Sequence, residues 1–130
     1  MLLAWLIPLG VYAQAPTEVE PHRLLVFEGS DWCANCIRLE KQVLTDSSFV
    51  AFTQAAGLTV ERIDFPQSKP LDKATRAHNR ALAEQYHFEG QFPTLVLVNG
   101  QTGTVSRMSY SREDVGAFTA QLRAHLSDQP

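Results

Sequence analysis

The sequence predicts a single α/β domain: a mixed central sheet of about four strands with helices on both faces. Three observations carry the prediction. The hydrophobic pattern opens strand–helix–strand and closes hairpin–helix, an order that brings parallel and antiparallel pairs into one sheet. The first strand candidate, residues 23–28 (RLLVFE), is a near-continuous apolar run, as expected of a central strand covered on both faces. The chain has 130 residues, 45% apolar and 19% charged, which suits one packed domain rather than two domains or a disordered chain.

Residues 1–13 (MLLAWLIPLGVYA) carry no charged side chain. The run is shorter than the roughly 20 residues a membrane-spanning helix needs. It fits the apolar part of a secretory signal, with Val11-Tyr12-Ala13 as a small-x-small cleavage pattern and the cut before Gln14. A basic n-region is missing, and the alternative of an N-terminal strand or helix of the domain stays open. Residues 14–21 (QAPTEVEP) have two prolines and no periodicity, and read as a tether. The globular domain is expected over 22–130.

After the strand at 23–28, Gly29-Ser30 breaks the run, and from about Cys33 to Leu44 the period becomes helical, with Ile37, Val43 and Leu44 among charged neighbours. Asp46-Ser47 offers N-cap oxygens to a further helix, in which Phe49 and Phe52 face the core and Gly57 is the stop. Residues 58–65 form the second strand, closed by Pro66. Pro70 opens a helix to about Tyr86, with Ala74, His78, Leu82 and Tyr86 along one side. Residues 94–98 (TLVLV) are the third strand. Asn99-Gly100 and Thr102-Gly103 supply hairpin-turn chemistry before a returning strand at 104–108. Ser111-Arg112-Glu113-Asp114 resembles a capping box, and the last helix buries Val115, Phe118, Leu122 and Leu126.

A net charge of −3 argues against nucleic acid as a partner. Two cysteines exclude a disulfide scaffold and a Cys₄ zinc site. They stand as Cys33-Ala34-Asn35-Cys36, after a strand and at the opening of a helix. A helix N-terminus has unpaired N–H groups and about half a positive charge, so a thiol there ionises more readily, and only the thiolate attacks a disulfide. Cys36 lies one turn on, within reach of Cys33. The more exposed Cys33 is the expected nucleophile and the shielded Cys36 the resolving thiol. A structural role is weak, because a bridge over two residues closes a tiny loop. Zinc would need two more ligands, and His22, His78, His87 and His125 contain no H-x₃₋₅-H pair. Ile37 follows Cys36 where haem attachment requires histidine. No metal and no other cofactor is therefore expected.

Residues 21–127 resemble the thioredoxin superfamily. The likeness rests on the strand at 24–27, Trp32-Cys33-Ala34-Asn35-Cys36, Phe92-Pro93-Thr94, and the hairpin around Asn99-Gly100. The flanks of the cysteine pair look closer to exported bacterial thioredoxin-like proteins than to the cytoplasmic type. The resemblance implies a thioredoxin fold, a cis proline at Pro93 beside the disulfide, and backbone contacts to substrate from Phe92; Trp32, a packing residue by its type, can also touch substrate beside an exposed thiolate. Two departures stand out. Phe27 occupies the position where cytoplasmic thioredoxins carry a buried aspartate that moves protons for the second cysteine. Glu28 can substitute for it, against the plainer reading of a strand-end carboxylate reaching solvent. Lys41 can modulate a thiol pKa, against that of a solvated helix-face lysine. Ala34-Asn35 is the second departure, for it lacks the histidine of strongly oxidising relatives, which implies a less oxidising potential.

The expected function is thus an exported, periplasmic or otherwise extracytoplasmic, monomeric thiol–disulfide oxidoreductase. Its partners would be disulfide-bearing exported proteins and a membrane redox protein that recycles the pair. Reduction of protein disulfides is placed first. A disulfide oxidase and a non-enzymatic thioredoxin-like binding or redox-regulated module are the alternatives.

Overall fold

A computed structural model describes residues 21–129. The expected signal segment at 1–13 and all but the last residue of the expected tether lie outside the described residues. Within them the order is β1 (His22–Glu28), α1 (Ala34–Leu39), a π-helical turn (Glu40–Leu44), α2 (Ser47–Ala55), β2 (Leu58–Asp64), α3 (Lys73–Gln85), β3 (Thr94–Val98), β4 (Val105–Met108) and α4 (Val115–Asp128). The strands form one sheet in the order β2-β1-β3-β4. β1 runs parallel to β2 and antiparallel to β3, and β3 pairs antiparallel with β4. This is the mixed α/β sheet of the thioredoxin fold. No helix among the described residues is long and apolar enough to cross a membrane.

The continuous apolar run of β1 is explained by burial on both faces. Leu24 and Val26 point into a core shared with Leu95 and Leu97 of β3 and with Leu39, Val43, Phe49, Phe118 and Leu122 from the helical layer. Leu25 and Phe27 point the other way, into a second core with Ile63, Val96, Leu82 and Tyr86. Successive strand side chains alternate faces, so residue parity alone sorts β1 between the two layers. The even positions face α1, α2 and α4, and the odd ones face α3.

Local chemistry sets the helix ends. The Asp46 carboxylate accepts the Ser48 N–H at 2.9 Å and opens α2, and Gly57, at φ +63°, takes the left-handed conformation just beyond it. Four expectations need correction. The helix expected over 33–44 changes to π geometry after Leu39; the Thr45 N–H donates to the Glu40 carbonyl five residues back. Hydrophobic spacing over a single turn does not separate a four-residue from a five-residue step. α3 starts at Lys73 rather than Pro70, because Asp72 accepts the Thr75 N–H at 2.7 Å and caps it there. Its inward stripe is Asn79, Leu82 and Tyr86, and Ala74 and His78 are exposed. Asn79 turns inward because its Nδ2 donates to the Asp64 carbonyl at 2.8 Å. Finally, Asp114, not Ser111, caps α4, accepting the Ala117 N–H at 2.8 Å, while Glu113 receives the Ser111 amide from outside the helix.

Phe118 ties the larger core together. It is fully buried, with its ring centroid 5.8 Å from that of Phe49 and 6.3 Å from that of Tyr110. Phe118→Ala is expected to cost about 3–5 kcal/mol, read as a lowered urea midpoint with an unchanged slope.

Candidate active site

The loop leaving β1 is pinned on the side of β2. Ser30 donates its N–H to Asp64 at 2.9 Å and its hydroxyl at 2.6 Å. Asp31 accepts the amides of Gln67 at 2.9 Å and Ser68 at 2.7 Å, and these bonds, the Gln67 amide first, hold its carboxyl below its ordinary pKa range. The Trp32 indole Nε1–H donates to the Phe65 carbonyl at 2.8 Å. The indole lies across Gly29 so closely that a Cβ there would sit 2.3 Å from Trp32 Cε2, which makes glycine a steric requirement at this turn. Strand pairing positions all of this, since Glu28 of β1 stands beside Asp64 of β2 in the register.

Cys33 and Cys36 are joined in a disulfide. Cys33 is the N-cap of α1, and its Sγ receives the Cys36 N–H at 3.2 Å. The burial of the two sulfur residues differs in the expected sense, with Cys33 8% exposed and Cys36 completely buried. A sulfur of another molecule can therefore approach Cys33, while Cys36 offers it no exposed surface.

Behind Cys36 lies a cavity of about 270 Å³, bordered by Glu28, Ser30, Glu40, Lys41 and Arg62. Glu28 is only 5% exposed, which corrects the reading of a solvent-reaching carboxylate. Parity is the reason: Glu28 follows Leu24 and Val26 onto the α1 face, whereas Phe27 faces α3. Burial pushes the Glu28 pKa up to about 7, with further upward pressure from the charges of Glu40 and Asp64 and a smaller opposing effect from Arg62 and Lys69. Glu40 itself is paired with Arg62, which donates from Nε at 2.8 Å and from its terminal nitrogen at 3.0 Å. Lys41 is exposed at the rim of this cavity.

Phe92 and Pro93 lead into β3. The pairing of Phe27 with Thr94 brings them to the same end of the sheet as the cysteines, and the Phe92–Pro93 peptide bond is cis. Phe92 meets Trp32 edge-on at 5.0 Å, and behind it Phe88 contacts Phe92 at 5.0 Å and stacks on Phe27 at 4.9 Å. An aromatic column thus runs from the exposed Trp32 to the core of the α3 side. Sequence reasoning missed Ser30, Asp31, Asp64 and Phe65 as anchors of the loop. Their partners are 33 to 37 residues away, beyond any local pattern. Among the described residues no group of three or more His, Cys, Asp or Glu is placed to hold a metal ion.

A mixed sheet with this strand order, a CxxC disulfide at the head of α1 and a cis proline at the start of β3 define a thioredoxin-fold protein. The chain is 32% identical over 102 residues to the disulfide bond reductase DsbH of Chlamydia pneumoniae, covering 78% of this chain and 60% of that protein. It is 23% identical over 124 residues to the thioredoxin-related protein DsbJ of the same organism, covering 95% of this chain and 35% of that one. A solved DsbH oxidoreductase structure superposes with a TM-score of 0.75 at 31% identity, over 85% of this chain and 75% of that one. The chain belongs to the thioredoxin superfamily, alongside DsbH. It spans less than two thirds of the length of both curated relatives, and no protein-family model matches it.

The raised Glu28 pKa makes stability depend on pH. The folded value, about 7, lies above the ordinary 4.5, so the neutral form is favoured by folding. That stability is fully present below pH 4.5 and is lost as pH rises toward and through 7. Glu28→Gln keeps the neutral shape and escapes the loss. In urea titrations of the oxidised domain, the variant should match wild type at pH 4 and exceed it at pH 8 by on the order of 2 kcal/mol.

Proposed function

We propose that the domain is an exported thiol–disulfide oxidoreductase that reduces protein disulfides. One observation carries the reading: a disulfide at a helix head whose outer sulfur receives a backbone N–H and whose inner sulfur is sealed from solvent. In the reduced pair that N–H is positioned to stabilise a Cys33 thiolate, the nucleophilic form. The name of DsbH, a disulfide bond reductase, supports the same direction.

The cycle balances without a prosthetic group. Cys33 thiolate attacks one sulfur of a substrate disulfide; the Cys33–substrate bond forms, and the other substrate sulfur leaves as a thiolate and takes a proton. Cys36 gives up its proton and attacks Cys33 Sγ. The Cys33–Cys36 bond forms, the mixed disulfide breaks, and the second substrate sulfur leaves. Two electrons have passed to the substrate. A membrane redox protein supplies two further electrons that reduce the Cys33–Cys36 disulfide again, and disulfide-bearing exported proteins are the acceptors. Residues 1–13 act as the signal and 14–21 as the tether, so the domain at 22–130 works outside the cytoplasm as a monomer.

Each neighbour has a role. Trp32, Phe92 and Pro93 shape the surface that receives the substrate chain. Glu28, in the cavity it shares with Cys36, takes the proton that Cys36 must lose, and a pKa near 7 lets it return that proton to water. Lys41 adds positive potential at the mouth of the cavity.

Cys33→Ser should abolish insulin reduction above the dithiothreitol background. Cys36→Ser should accumulate mixed disulfides with client proteins, resolved by added thiol and visible on non-reducing gels; an unreactive Cys36→Ser variant would reverse the assigned roles. With no histidine between the cysteines, the reduction potential should lie well below the roughly −120 mV of the most oxidising thioredoxin-fold enzymes. A redox titration against glutathione reads it directly.

A further inference from the structure

Beside Trp32 the surface forms a groove that the exchange chemistry does not use. A depression of about 530 Å³ is lined by Phe65, Pro66, Lys69, Leu71 and Arg76, and a second of about 360 Å³ continues it past Asn79 and Arg80. Phe65, Leu71 and Arg76 line both, so the two adjoin. It begins at the residue whose carbonyl holds the Trp32 indole and follows the N-terminal half of α3. Half-buried Phe65 and Leu71 make an apolar floor. The near wall is already rigid, because Asp31 fastens the amides of Gln67 and Ser68 to the active-site loop.

The rim is basic in a protein of net charge −3. Lys69, Arg76 and Arg80 line the groove, and with Lys73, close by in sequence, they put four of the 11 lysines and arginines within twelve residues. Among the described residues Lys73, Arg76 and Arg80 form no ion pair, and Lys69 reaches Asp64 only at 3.9 Å. Asp72, the one acid in that stretch, is committed to capping α3. Its carboxyl is held below its usual range first by the Thr75 amide, with Arg76 adding to the effect. Glu84 stands a turn beyond Arg80, outside both depressions. Lys73 and Arg76 also sit at the end of α3 where the helix dipole disfavours cations. The fold thus bears a small electrostatic cost that an incoming anion would relieve.

We propose that this groove docks an acidic segment, with apolar side chains against Phe65 and Leu71, of the polypeptide whose disulfide is exchanged at Cys33. A polypeptide is the fitting occupant because the groove adjoins Cys33 through Trp32, within reach of the same chain that presents the disulfide. The inference rests on the thiol-exchange reading above. It adds a recognition element, with charge on the rim acting mainly on encounter and on KM.

The test uses the full chain and two synthetic peptides, each with one internal disulfide, flanked in one by Asp and Leu and in the other by Ser and Leu. Wild type should reduce the acidic peptide with the lower KM, and the preference should fade as salt rises. The double variant Arg76→Glu/Arg80→Glu should raise KM for the acidic peptide roughly tenfold, leaving its kcat and the Ser peptide unchanged. Arg76→Lys/Arg80→Lys should restore most of the preference. Equal KM for the two peptides on wild type, or equal loss for both in the charge-reversed variant, would overturn the proposal. Self-association of wild type that the reversed variant loses would assign the groove to a second copy and overturn it as well. If wild type reduces neither peptide, the exchange reading fails on its own. Fluorescence-anisotropy binding of the acidic peptide with serines in place of its cysteines then decides the groove, and no binding overturns it.

Discussion

Burial of β1 on both faces is the constraint from which the rest of the structure follows. Leu24, Leu25, Val26 and Phe27 have no exposed surface, and Glu28 has almost none. A strand so enclosed has no freedom to slip, because a one-residue shift would send every side chain into the wrong layer. Its register with β2 and β3 is therefore fixed, and so is the point at which it ends. The cysteine pair begins five residues beyond that point, on a turn whose Ser30, Asp31 and Trp32 are tied to β2 or to the loop after it. Rigid placement of the reactive sulfur is thus inherited from apolar packing rather than from anything at the sulfur itself.

The same enclosure creates the one chemically unusual group near the pair. A carboxylate at the last position of a buried strand is expensive unless it is paired or neutral. Glu28 stands beside Asp64 in the register, with Glu40 among the other acids acting on it, and Arg62 is already engaged by Glu40. Neutralisation near pH 7 is the physical outcome. The cavity that separates it from full burial is also what keeps it in communication with Cys36.

Much of this was legible in the sequence. The apolar run of β1, the Asp46 cap, the Gly57 stop, the hairpin and the cysteine pair are local signals, and each lies where local chemistry puts it. Phe92-Pro93 was legible only through resemblance. What escaped was non-local. The inward face of α3 depends on Asn79 finding the Asp64 carbonyl, which no helical wheel ranks as buried. The π turn depends on one extra residue in a step that hydrophobic spacing does not resolve. In the sequence Glu28 is simply the neighbour of Phe27, which holds the family position. Strand parity decides which of Phe27 and Glu28 faces the second cysteine.

The cavity behind Cys36 has a consequence for traffic through the domain. Of the two sulfur residues, only Cys33 keeps exposed surface, whereas Cys36 borders the cavity with Glu28 and the exposed rim at Lys41 and Arg62. On the proposed reading, electrons would cross one surface and protons would leave by another. A bulky client seated over Cys33 would then shut water out of the exchanging sulfur without closing the exit that resolution needs. The domain would then have a front door for the polypeptide and a service entrance for the proton, and a tight complex could still finish its reaction.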